Sequence, residues 1–187
     1  MKGEVSRLFR LEQHYEMHSD QIYQFLYFIT FDVQLSEDLM QETFIRAYEA
    51  KLTYRGKANV LTWLRTIAKS IAYDHFKRKK IITFLPFTKN DGETAITLSA
   101  EQLLFIEEEK RALYQAIASL KLEHRLAIIL REIEGLSIKE TATILGWNES
   151  MVKNNTERGM EVLEKLMKGG SEDGQRATAI TGTETIK

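Results

Sequence analysis

A single proline, Pro86, interrupts this chain, and the stretches on either side repeat their apolar residues every three to four positions. Proline inside a helix removes a backbone donor and clashes with the preceding turn. Long proline-free stretches with a 3.6-residue period therefore point to an all-α fold. At 187 residues the chain suffices for one large or two small domains. It has no cysteine, which excludes disulfides and thiolate metal sites and is compatible with a reducing cytosol. No apolar run is long enough to span a bilayer, and the N-terminus lacks the apolar core of a signal peptide, so a cytoplasmic location is expected. The formal net charge is −1, so contact with nucleic acid would need segregated basic patches.

One stretch, Val60 to Lys80, carries two different faces. Val60, Leu64, Ile67, Ala68, Ile71 and His75 make an apolar stripe that a helix must bury. Arg65, Lys69, Lys77, Arg78, Lys79 and Lys80 stand against one acid, Asp74. Trp63 lies near the start, and the loop Tyr54-Arg55-Gly56-Lys57 leads in. Cations interleaved with aromatics suit phosphates and unpaired bases. A solvated charged face over core aromatics suits the same residues.

Upstream, residues 1–30 read as helical, with Ile22, Phe25, Leu26 and Ile29 on one face. His14 and His18 have the spacing of a helical metal pair, but no HExxH-like carboxylate accompanies them, and a surface pair is expected. Phe31 to Leu35 reads as a connection, with Ser36 as the N-cap of a helix over Glu37 to Ala50. Met40, Phe44, Ala47 and Tyr48 form its apolar face. Asp38, Gln41, Glu42 and Ile45 form a second face, either solvated or a docking surface for basic partners. Asn59 is placed to cap the basic helix.

Downstream, the apolar run Ile81 to Phe87 and the polar turn Lys89 to Glu93 read as a linker. A second helical unit follows. Leu113, Ala116, Ile117 and Leu120 form one stripe; Leu126, Ile129, Leu130 and Ile133 form another, stopped by Gly135. Ser137 to Glu140 is a capping box opening a short helix that Gly146 ends. Asn148 then caps a helix over Glu149 to about Lys168. Short helix, glycine turn, longer helix is the helix-turn-helix plan. In the last helix Val152, Thr156, Gly159, Met160, Leu163 and Leu166 face inward, and Gly159 allows a close helix approach. Ser150, Lys153, Asn154, Glu157 and Arg158 face out.

The series Asp38-Leu39-Met40-Gln41-Glu42-Thr43-Phe44, Tyr54 to Lys57, Thr62-Trp63-Leu64, Ile67-Ala68 and Asp74 through Lys79 resembles domain two of the extracytoplasmic-function (ECF) sigma factors of bacterial RNA polymerase. Ile128 to Arg131, Gly135-Leu136-Ser137, Glu140-Thr141-Ala142, Leu145-Gly146 and Ser150 through Gly159 resemble domain four. The resemblance implies an alternative sigma subunit, regulatory and not an enzyme, without cofactor, metal or small-molecule substrate. The domains expected are two at 1–80 and four at 109–168, both small and helical, with a flexible linker at 81–108 and a disordered tail at 169–187.

The resemblance also implies roles. Asp38, Gln41 and Glu42, with Ile45 as apolar anchor, dock on the β′ coiled coil of core polymerase, while Phe44 packs inside; domain four meets the β flap. Tyr54, Arg55, Lys57 and Asn59 belong to the part that opens the minus-ten element; Trp63 either joins them or packs in the core. Arg65, Lys69, Lys77 and Arg78 track phosphates. Ser150, Lys153, Asn154, Glu157 and Arg158 line the helix reading the minus-thirty-five element: Asn154 suits adenine, Lys153 guanine or phosphate, Arg158 phosphate, and Glu157 either reads cytosine or repels phosphate. The family pattern after Val-Lys is richer in arginine than Asn154-Asn155-Thr156-Glu157 here, so this domain alone should bind weakly. An anti-sigma factor, in this family often a membrane protein, is a further implied partner. Two other readings stand beside this one: a free-standing helix-turn-helix regulator, and a sigma-like decoy that titrates an anti-sigma factor. An enzyme would require His14 and His18 to hold a metal.

Overall fold

The computed structural model describes residues 11–51, 54, 59–83, 96, 98 and 106–180. Arg55, Lys57, Pro86 and most of the expected linker lie outside them. The described residues form helices and short connections, with no strand among them. The first unit is α1 (Leu11–Thr30), α2 (Val33–Ala50) and α3 (Val60–Thr83). The second is α4 (Glu108–Ser119), α5 (Leu122–Ile128), α6 (Ile138–Leu145) and α7 (Glu149–Ile180), with a π-helical turn, Ile129–Ile133, continuing α5.

Ile22, Phe25, Leu26 and Ile29 are buried in α1, as their period predicts. They meet Leu39, Met40, Phe44 and Ala47 of α2 and Leu64, Ala68, Ile71 and Ala72 of α3. The start of α2 differs from the sequence expectation. Asp32, not Ser36, is the N-cap: its carboxylate accepts the Leu35 amide at 2.9 Å. Ser36 lies inside the helix, buried, with its hydroxyl donating to the Asp32 carbonyl. The chain can begin α2 this early because Phe31 makes the turn in the left-handed region, at φ 52°. That conformation costs ~1–2 kcal/mol. Burying the whole ring contributes ~1.5–3 kcal/mol, so burial decides.

Helix α3 opens as expected, with the Asn59 side chain accepting the Leu61 amide at 2.9 Å. It ends at Thr83, slightly beyond Lys80. In the second unit Ala116, Ile117 and Leu120 are buried, but Leu113 is exposed. Ile133, expected in the apolar stripe, is 43% exposed. The π turn explains it. The Glu134 amide reaches back to the Ile129 carbonyl at 2.9 Å, and the Leu136 amide to Leu130 at 2.9 Å. The wider turn shifts the facing by one residue, moving Ile133 outward and Glu134 inward.

The capping box is formed: the Glu140 amide donates to the Ser137 hydroxyl at 3.2 Å, and the Ser137 amide to the Glu140 carboxylate at 2.9 Å. Gly146 closes α6 at φ 70°, where a side chain would be strained. Asn148 caps α7 by accepting the Met151 amide at 2.8 Å. Gly159 permits the close approach expected: a Cβ there would lie 2.8 Å from the Ile128 Cδ1. Helix α7 outruns its neighbours. Leu163 is the last buried residue among its described side chains, Leu166 is 43% exposed against expectation, and the helix continues to Ile180 into the expected tail. Glycines 169 and 170 disfavour helix by only ~1 kcal/mol each, and no proline stops it.

The two units share a core. Leu122, Leu126, Ile129, Leu130, Ile144 and Leu145 of the second join the first unit's apolar cluster, and Phe31 enters the second unit's cluster of Ile117, Leu120 and Ile128. Helix α3 lies against α6, and α1 against α5. No helix among the described residues is long and apolar enough to cross a membrane.

Candidate nucleic-acid interface

The cations of α3 divide into two sets. Lys77 and Arg78 are exposed. Arg65 and Lys69, one helical turn apart, face the second unit instead. The Arg65 guanidinium forms an ion pair with Glu134, where the π turn ends. Burial lowers the Arg65 pKa, against the pull of Glu134. Burial likewise pushes the Glu134 carboxyl up to about 7, although Arg65 draws it down. The Lys69 ammonium donates to the Leu145 carbonyl at the end of α6, at 3.4 Å, and burial lowers its pKa. Beside it, burial and the Glu123 charge push the Tyr73 phenol up to about 12.

At the start of α3 the Tyr54 and Trp63 rings lie 4.9 Å apart, and both are half-buried. Trp63 also packs on the core. On α2, Asp38, Gln41 and Ile45 are exposed and Phe44 is buried. Glu42 is partly covered and paired with Arg46, which also lies 3.8 Å from Asp74.

On α7 the residues expected to face out do so: Ser150, Lys153, Asn154, Glu157 and Arg158 are all exposed, and Val152 and Gly159 behind them are buried. Met151 stands with the exposed set at 43%; its position between Ser150 and Val152 was the available signal. His14 and His18 stack with rings 5.9 Å apart, and no group of three ligating side chains occurs among the described residues.

Two comparisons of sequence agree with this geometry. Residues 14–81 match the family described as Sigma-70 region 2, and residues 110–163 match Sigma-70, region 4. The ECF RNA polymerase sigma factor SigX of Bacillus subtilis is 35% identical over 157 residues, 82% of this chain and 81% of the relative. The chain belongs to the ECF sigma factors. RNA polymerase sigma factor YlaC of the same organism is 32% identical over 164 residues, covering 87% of this chain and 95% of the relative. Among solved structures, the Bartonella quintana sigma factor RpoE, co-crystallised with the anti-sigma factor NepR, superposes with a TM-score of 0.67 at 22% identity, covering 84% of this chain and 96% of that one. CnrH, solved with the cytosolic domain of CnrY, superposes with a TM-score of 0.62 at 19% identity, covering 85% and 88%. These two likenesses concern the fold.

In this ECF sigma factor the region 2 match takes in α1 from His14, α2 and most of α3; the region 4 match runs from Lys110 in α4 to Leu163 in α7. Such a subunit directs core RNA polymerase to promoters. Two residues of the sigma factor's interior were missed in the sequence. Glu134 was hidden by the π turn. Arg125 is fully buried and donates to the carbonyls of Ile29, Ile117, Ala118 and Leu120. Its place in the apolar stripe, beside Leu122, Leu126 and Ile129, was the signal.

Proposed function

We propose that this sigma factor reads promoters with two separate surfaces. The outer face of α7 takes the major groove of the upstream element through Lys153 and Asn154, with Ser150, Glu157 and Arg158 flanking them. The loop before α3, with Tyr54, Arg55, Lys57, Asn59 and Trp63, holds unpaired bases of the minus-ten element, and Arg65, Lys69, Lys77 and Arg78 follow its phosphates. Asp38, Gln41, Glu42 and Ile45 dock on core polymerase. Domain two is assigned to residues 1–80 and domain four to 109–168. The protein acts in the cytoplasm, is regulatory rather than catalytic, and has an anti-sigma factor as a further partner. The sigma factor RpoE, co-crystallised with an anti-sigma factor, supports that last assignment by family likeness.

The observation that carries the reading is the sorting of α7: five polar or charged side chains exposed on one face at the start of a well-capped second helix. The double variant Lys153→Ala, Asn154→Ala tests it. Each good base contact discriminates by ~1–3 kcal/mol, so upstream-element selection should weaken and relax. Unchanged footprints and promoter preference in that variant would remove the assignment of α7 as the reading helix.

A further inference from the structure

The outer face of α7 carries one side chain that its polar neighbours do not account for. Met151 is 43% exposed, one position before the buried Val152. It stands in the first turn, where the Asn148 side chain accepts its amide. The first residues of a groove-reading helix are the ones that reach base edges. Asn154 follows three positions later, on the same face and also exposed. Asn155 is committed differently, since its side-chain amide donates to the Met151 carbonyl at 2.9 Å. The Thr156 hydroxyl is also tied to its own helix, donating to the Val152 carbonyl at 2.9 Å. The start of α7 therefore presents an apolar group, Met151, beside a polar one, Asn154.

We propose that Met151 is a specificity-determining residue, which reads the C5-methyl group of a thymine in the base pair next to the adenine that Asn154 contacts. The proposal rests on the reading of α7 as the helix in the major groove. Among the base edges of that groove the thymine methyl is the apolar group. A thioether offers no donor and only a weak acceptor, so Met151 distinguishes base pairs through that methyl. Its unbranched chain has three rotatable bonds and a polarizable sulfur, which lets it follow the groove and pack on a small target. The spacing fits. Residues three apart on a helix are displaced by ~4.5 Å along its axis, and successive base pairs by ~3.4 Å. Neighbours on this face therefore meet neighbouring pairs. A G·C pair at the same place would turn the cytosine amino group against an apolar chain and leave that donor without a partner. The contact thus favours thymine and rejects cytosine together.

The test uses the full chain bound to core polymerase and synthetic duplexes carrying the upstream element that this complex selects from a random-sequence pool. Each thymine of the element is replaced in turn by deoxyuridine, which lacks only the methyl group and keeps its pairing. In the parent, one replacement, next to an adenine whose selection depends on Asn154, is expected to weaken binding about fourfold, the effect of burying one methyl group. Met151→Ala should bind the thymine duplex as weakly as the parent binds the deoxyuridine duplex, and should bind the two equally. Met151→Leu should keep the discrimination. Asn154→Ala should keep it too, while losing the preference for adenine. The amide of Met151, not its exposed side chain, enters the cap, so the fold should tolerate these changes. Should Met151→Ala fail to fold, Met151→Gln, of similar length but polar at its end, is expected to abolish the methyl effect. No effect of deoxyuridine at any thymine overturns the proposal, as does an effect that persists undiminished in Met151→Ala. In either case α7 remains the reading helix if Lys153→Ala with Asn154→Ala still relaxes selection. If that double variant and every Met151 variant leave selection unchanged, the proposal and the reading of α7 both fall.

Discussion

Arg65 and Glu134 lie 69 positions apart in sequence and form an ion pair between the two helical units, nearly out of contact with water. Lys69 stands one turn away, and Glu140 is near enough to act on Arg65 by its charge. Burial of the pair ties the stability of the fold to pH. Burial raises the Glu134 pKa from 4.5 to about 7. The folded chain therefore keeps a proton that the unfolded chain gives up. Its contribution to stability is full below about 4.5 and is lost as pH rises through about 7. The stability of the fold should therefore fall on going from about pH 5 to about pH 8, and Glu134→Gln should flatten that slope. Urea unfolding across this range checks it; a parent slope no steeper than that of the variant contradicts it.

Arg125 is fully buried and bonded to backbone from both helical units. Four backbone carbonyls from α1 and from the end of α4 and its connection depend on one guanidinium. Arg125→Ala should cost on the order of 3 kcal/mol, since hydrogen bonds to charged groups and the unpaired carbonyls both count. Urea unfolding measures it; a loss below about 1 kcal/mol would show that water replaces the guanidinium.

Gly159 sets the spacing of α5 and α7. Gly159→Val would place a branched side chain where a Cβ already lies 2.8 Å from Ile128 and 3.2 Å from the His124 Cβ. The Ile128 methyl can turn away, but the His124 Cβ moves only with its helix. A destabilisation of ~1–3 kcal/mol is expected in thermal unfolding, despite the gain in helix propensity over glycine.

The helices were legible in the sequence because their apolar residues follow one period and their caps are local. The Ser137–Glu140 box, Asn59, Gly146, Asn148 and the Gly159 contact each needed only a few neighbouring residues to read. Reading failed where the decision was not local. The sequence pointed to Ser36 as the cap, and the burial of Phe31 moved the helix start back to Asp32. The π turn shifted the face of Ile133 and Glu134 without any sequence signature, and Leu166 is exposed although it keeps the period of the buried residues. The outward residues of α7 were predictable from its period. The covering of Arg65 and Lys69 was not, because periodicity says that a face exists but not what meets it.

The α2 surface gives a prediction about assembly. Asp38 is exposed, and Glu42 is engaged mainly by Arg46 on its own helix. Losing an exposed i, i+4 pair costs only ~0.3–0.5 kcal/mol, so Asp38→Arg with Glu42→Arg should leave the helical circular dichroism unchanged. Co-purification with core polymerase should be lost. Normal co-purification would place the docking surface elsewhere.

Transcription in vitro from a pool of genomic promoters, with core RNA polymerase in the presence and absence of this protein, tests the central claim most directly. The account predicts new transcripts that depend on the protein and share two spaced upstream elements. Binding to core polymerase without any new transcript, or binding to DNA without binding to core polymerase, would contradict it.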